Sequence, residues 1–232
     1  MRAYYEKAGI LVARPAKGSS CTLAVSAKGG NNAENHNHND IGSYAVALGK
    51  CTMVGDQGGP FSYPGDYFSA EAPEKYKIKG SFGHQVPVVD GKTQSSGAKA
   101  SAIVLKKEFT DVKDLLCIDY TSAYSTPSLD KLVRTFVYDR QGKGSFTVGD
   151  EFTANAPIRF ETAITTQANW KISIHTLPTC LIIRYSGVFH SIFIITIVLY
   201  ASSTGYIRPS TAPSVKYRYV YRPESSPQSF QK

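Results

Sequence analysis

The chain has 232 residues, of which 42% are apolar and 12% aromatic, enough to build a core and too many for a disordered polypeptide. Of 26 basic residues, seven lie from Lys171 onward against one acid, Glu224, which leaves 19 basic and 17 acidic residues before it. The net charge of +8 thus belongs to the tail. A nucleic-acid partner is not expected despite the short run Lys216-Tyr217-Arg218-Tyr219, because a folded basic face is missing from the body.

Met1 to Lys7 does not read as a signal peptide, since the apolar run Ala8 to Ala13 is short and stops at Arg14. Next comes Asn31 to Asp40, Asn-Asn-Ala-Glu-Asn-His-Asn-His-Asn-Asp, which holds two of the five histidines. Extended backbone would point His36 and His38 the same way, with Asp40 on that face. The plainer alternative is a solvated, Asn-rich turn. Tyr44 to Leu48 and Cys51 to Val54, joined at Gly49-Lys50, predict a hairpin. Gly55 to Gly65 is loop by its Gly and Pro content, and Asp66 to Lys79 is irregular, with Tyr67 and Phe68 tucked beneath it.

Short strands are expected at Gln85–Val89, Ala100–Phe109, Leu115–Tyr120, Leu132–Tyr138 and Ser145–Phe152. A turn is expected at Asp90-Gly91 and a hairpin across Gln141 to Gly144. From Ile158 to Thr166, Ile158, Phe160, Thr162 and Ile164 share one face. No stretch sustains a helical period with caps. The expected fold is all-β, an antiparallel β-sandwich (or a barrel) of many short strands. The character changes after Trp170, so the expected organisation is a sandwich over residues 1–170 and a divergent strand and tail region over 171–232. The last twenty or so residues are Ser/Pro-rich and expected to be poorly ordered. Ile192 to Tyr200 is apolar but too short to cross a bilayer, which takes about 20 helical residues. The four cysteines are scattered and neither require nor exclude disulfides.

A divalent metal takes neutral imidazole nitrogens and carboxylate oxygens from three or four residues. His-x-His could open such a site, and Asp40, Asp56 and His84 are the further candidates. The hairpin returns the chain to its starting end, which favours Asp56. Asp56 could equally serve its turn, and His84 could be an ordinary histidine at a strand end. Gly30, five residues and His36-x-His38 also match the opening of a cupin metal motif. There the expected glutamate is missing, because Gly42 and Ser43 stand in its place.

A broader likeness runs through Gly29 to Tyr44, Gly55-Asp56-Gln57-Gly58, Asp66-Tyr67-Phe68-Ser69 and Gly83 to Gln94. In that order these segments resemble the C-terminal β-sandwich domain of heparinase II/III-like polysaccharide lyases, over about residues 20 to 170. The resemblance implies that His38, Asp56 and His84 bind a structural metal, most often zinc. It implies that His36 faces the substrate uronate as a catalytic residue, and it puts Tyr67 near a substrate-contacting tyrosine. The implied activity is β-elimination in an acidic polysaccharide such as heparan sulfate or alginate, in the periplasm or outside the cell. In the family, the tyrosine acid/base comes from an N-terminal helical toroid. Residues 1–35 do not supply one, so this chain is expected to be a portion of such a lyase and inactive alone. The expected alternatives are a carbohydrate-binding sandwich without catalysis and, less well matched, a cupin-type oxygenase.

Overall fold

The computed structural model describes residues 1–56, 58–156 and 158–165, the side chain of residue 163 apart. It further describes the backbone of strands at 170–175, 180–186, 192–201, 206–208 and 215–220. Strands β1 (Arg2–Tyr5), β2 (Ile10–Ala13), β3 (Leu23–Lys28), β4 (Asn31–Asn32), β5 (Tyr44–Leu48) and β6 (Cys51–Val54) come first. A single helical turn, α1 (Ala72–Lys75), precedes β7 (Val88–Val89), β8 (Gly97–Ser101), β9 (Ile103–Phe109) and β10 (Lys113–Asp119). The long strands β11 (Leu129–Asp139) and β12 (Ser145–Ala154) are followed by β13 (Arg159–Ile164), β14 (Trp170–His175), β15 (Cys180–Ser186), β16 (Ile192–Ala201), β17 (Tyr206–Arg208) and β18 (Val215–Val220).

Two large sheets face each other. One has the order β1-β2-β3-β5-β6, the other β14-β15-β16-β12-β11-β10-β9. Their pairings are antiparallel except for β12 with β16, which runs parallel. Period-2 alternation decides what each strand buries. Leu23, Val25 and Ala27 turn inward from β3, and Leu116 and Ile118 from β10. Phe146, Val148 and Phe152 do so from β12. The faces interlock through Tyr44, whose ring lies 6.2 Å from Phe136 and 5.8 Å from Phe146. The result is the expected all-β sandwich.

The core also holds charge. Asp150, on the inward face of β12, receives Nε of Arg134 at 2.7 Å and its Nη2 at 2.5 Å. Both side chains are buried, so each charge depends on the other for solvation. Tyr120 donates its hydroxyl to the same carboxylate at 3.0 Å. Arg134 then reaches past the sheet, donating from Nη1 to the carbonyls of Gly42 at 2.8 Å and Gln85 at 2.6 Å. One core cation thereby ties together two loops far apart in sequence.

Several local expectations need correction. The strand expected at Gln85–Val89 shrinks to Val88–Val89, and that expected at Ala100–Phe109 breaks at Ala102 into β8 and β9. The apolar stretch near residue 195 is strand β16. Of the last twenty or so residues only Val215–Val220 is described, as a strand; the order expected of the remainder lies outside the described residues. No helix among the described residues is long and apolar enough to cross a membrane.

Candidate functional site

The segment Asn31 to Asp40 is not one extended strand. After the short β4, Asn31 closes a turn by accepting the Ala33 N–H at 2.9 Å, and the Asn37 N–H reaches the Glu34 carbonyl at 3.1 Å. His36 then takes a left-handed backbone, φ +57°. This removes the alternation that would align residues 36 and 38. His36 is exposed and His38 half-buried, and the two rings serve different surroundings.

Gln94 holds this loop from below. Its Oε1 accepts the Ile41 N–H at 2.9 Å and the Asn32 amide at 3.1 Å, and its Nε2 donates to the Ile41 carbonyl at 2.7 Å. Asn39 adds a bond from Nδ2 to the Gln94 carbonyl at 3.0 Å, and its own N–H donates to the Lys79 carbonyl at 2.8 Å. Gly30 lets the loop begin. With φ +67°, it would place a Cβ 2.5 Å from the Ala8 carbonyl oxygen, too close for any side chain.

His84 arrives from a single helical turn, Ser81–Gly83. At Gly83 a Cβ would stand 2.4 Å from the Ile78 carbonyl oxygen, so only glycine admits this turn. His84 is 1% exposed and uses both ring nitrogens. Nε2 lies 3.1 Å from Nδ1 of His38, and Nδ1 lies 2.8 Å from Oδ1 of Asp56. Asp56, just past β6, keeps its side chain half exposed and borders a cleft of about 170 Å³ shared with Lys28 and Ser43. The hairpin therefore does bring Asp56 back to the histidines. Asp40 goes elsewhere: it pairs with Lys28, and Ser43 donates to its other oxygen at 3.4 Å.

Burial, with the neighbouring His84 next in importance, lowers the pKa of His38 below the usual histidine value. A lowered pKa favours the neutral ring, the form in which imidazole ligates a metal. Bonds of about 2.0–2.1 Å at tetrahedral angles put two nitrogen ligands roughly 3.3 Å apart. The His38–His84 separation of 3.1 Å is close to that. Asp56 meets the far nitrogen of His84, the position of a carboxylate that orients a ligating histidine. Among the described residues no three donors converge on one point. The donor set fits a metal in kind, and its two imidazoles also fit in spacing.

His36 rests on Phe68, ring centroids 4.4 Å apart and planes 29° from parallel. Tyr67 is buried, with a hydroxyl that has no partner among the described residues. Burial, then the adjacent Tyr63, raises its pKa, so the phenol stays protonated. Lys79 completes the region. Its side chain is buried, donates to the Tyr67 carbonyl at 2.7 Å, and holds the ammonium 4.9 Å from the Tyr67 ring and 5.2 Å from that of Phe68. Sequence reading missed Lys79, Gln94 and Arg134. Nothing in Lys75-Tyr76-Lys77-Ile78-Lys79 distinguishes the lysine that goes inside from the two that stay outside.

No protein-family model matches the sequence, and no curated protein matches it. Solved structures do resemble it. Heparinase III with methylated lysines superposes with a TM-score of 0.63 at 13% identity, over 97% of this chain and 33% of that one. The heparan sulfate lyase HepC from Pedobacter heparinus gives 0.58 at 14% identity, over 98% and 37%. A mutant of that lyase gives 0.59 at 14% identity, over 97% and 34%. The chain thus has the fold of about one third of each of these enzymes.

Proposed function

We propose that this chain is the sandwich portion of a polysaccharide lyase that cleaves uronic-acid polysaccharides, such as heparan sulfate or alginate, by β-elimination. The observation that carries the reading is the separation of two imidazole surroundings on a fold similar to that of solved heparan sulfate lyases. His84 and His38 face each other in a partly buried cluster, while His36 lies exposed on Phe68. Elimination removes the C5 proton of the uronate and breaks the C4–O bond, leaving an unsaturated sugar. Negative charge grows on the uronate carboxyl as the proton departs, and a fixed donor at that oxygen lowers the barrier. In this reading the His36 imidazole is that donor, and the Tyr67 hydroxyl is a second group for substrate contact.

His38 and His84 would hold a divalent metal through their facing nitrogens, zinc being the best fit to imidazole donors, with Asp56 orienting His84 from its far nitrogen. Its contribution when bound is structural: it locks the loop from which His36 projects. The acid/base tyrosine belongs, in this reading, to a helical toroid that acts together with this sandwich. Action on an extracellular polysaccharide also places the working protein in the periplasm or outside the cell.

Absorbance of the unsaturated product tests the proposal, using the chain alone and the chain combined with a helical domain encoded beside it. Product from the combination and none from the chain alone is the expected result. Cleavage by the chain alone would remove the need for a toroid. Glycan binding without cleavage in either format would instead support a carbohydrate-binding sandwich. Iron-dependent oxidation would revive the cupin reading, against which Gly42 and Ser43 stand in place of the glutamate.

A further inference from the structure

Beside the imidazole cluster lies an aromatic surface of which the elimination chemistry uses only the His36 imidazole and the Tyr67 hydroxyl. Tyr63 sits 5.0 Å from the ring of Tyr67 and 5.2 Å from that of Phe68, and Tyr67 and Phe68 meet edge to face at 5.2 Å. Tyr67 is buried, whereas Tyr63 remains 57% and Phe68 48% exposed. His36 continues the surface by stacking on Phe68. Three rings are thus accessible in one patch, ending at the imidazole where substrate is proposed to react.

Two further observations point to the occupant. Lys79 lies buried against the rings of Tyr67 and Phe68, and no carboxylate pairs with it among the described residues. Burial lowers its pKa, and in the protonated form its charge is little screened by water and favours an anion beyond the aromatic layer. The Tyr67 hydroxyl, buried and without a partner among the described residues, adds a polar group to the same cluster. A pyranose presents C–H groups on one face and hydroxyls at its rim. The C–H face is complementary to the negative face of an aromatic ring, and a carboxylate or sulfate on the sugar is drawn to the ammonium.

We infer that Tyr63, Phe68 and His36 form a stacking subsite for one sugar ring of an acidic polysaccharide, with Lys79 providing the charge that favours an anionic sugar. The inference rests on the lyase reading and extends it to the ring next to the one cleaved.

The test is calorimetric titration of the whole 232-residue chain with a heparan sulfate hexasaccharide, an alginate hexasaccharide, neutral cellohexaose and single-stranded oligothymidylate. An acidic hexasaccharide should bind best. Tyr63→Ala and Phe68→Ala should each weaken it roughly tenfold, the scale of one lost aromatic stacking contact. Phe68→Leu keeps the apolar volume and should still lose affinity, which separates stacking from folding. Lys79→Met should narrow the preference for charged over neutral sugar. Unchanged affinity in both ring variants would overturn the subsite while leaving the lyase reading intact. Absence of binding to either acidic glycan would overturn the subsite, while the lyase reading is decided separately by unsaturated product from the combined domains. Tighter binding of cellohexaose or of the oligonucleotide would overturn the assignment to an acidic sugar.

Discussion

His84 offers its Nε2 edge to His38 at 3.1 Å and its Nδ1 edge to Asp56 at 2.8 Å. A single buried ring thus links a loop that follows β4 to the loop that follows β6. If the link is a metal site, zinc should raise the thermal midpoint in a concentration-dependent way, as any ligand of the folded state does. His84→Ala should abolish that rise. Asp56→Asn, which keeps the shape but loses the charge, should weaken zinc binding about 10–100-fold. A midpoint indifferent to zinc would remove the metal from the proposal.

Gln94 is the polar anchor of the histidine loop. Gln94→Leu fills similar space but leaves the Ile41 N–H and C=O without their partners. Each buried group so stranded costs about 1–3 kcal/mol. Urea unfolding should show the loss, and Gln94→Glu should recover only the acceptor half of it.

The Arg134–Asp150 pair should respond asymmetrically. Removing either partner alone should cost about 3–5 kcal/mol, because the survivor is a buried, unpaired charge. Arg134→Met combined with Asp150→Leu should be milder than either single change. It should still fall short of the parent, since the Gly42 and Gln85 carbonyls lose their donor. A double variant worse than both singles would contradict this account.

Alkali should unfold the protein early. Burial, the leading cause at Tyr44, Tyr120 and Tyr124, holds each phenol's pKa well above the ordinary tyrosine value in the folded chain. Above about pH 10 the unfolded chain releases these protons and the folded chain does not, so stability falls as pH rises. The tyrosinate absorbance of these residues should therefore appear together with loss of the near-ultraviolet circular dichroism. Titration of all the tyrosines before unfolding would refute the burial argument.

His36→Ala, which gives up the stack on Phe68 but keeps an L-residue at φ +57°, should lower the unfolding free energy by no more than about 1.5 kcal/mol. In any assembly that shows elimination it should nevertheless lower the rate by roughly 10²–10³, the effect of losing one donor to a developing oxyanion. An equal loss of stability would reassign His36 to the fold.

The sequence exposes the parts of this molecule that rest on period and punctuation. The β5–β6 hairpin follows from alternation and Gly49-Lys50, and it carries Asp56 back to His38 and His84. The turn at Asp90-Gly91 follows from residues that tolerate positive φ, and both adopt it. What stayed hidden depends on contacts between distant residues. The interruption at Ala102 coincides with its N–H turning to the Gly30 carbonyl at 2.8 Å. The burial of Lys79 depends on rings that sit 11 and 12 residues earlier. Alternation fails at His36 because Asn31 accepts the Ala33 N–H and the Asn37 N–H turns to the Glu34 carbonyl, closing turns where a strand would continue.

That conformation has an evolutionary consequence. A left-handed backbone costs an ordinary L-residue roughly 1–2 kcal/mol that glycine escapes, and His36 occupies it at φ +57°. Replacement by glycine should thus make the sandwich sturdier while stripping it of its exposed imidazole. Selection for durability alone would erode this position early, and a lineage that keeps histidine there is under a different pressure.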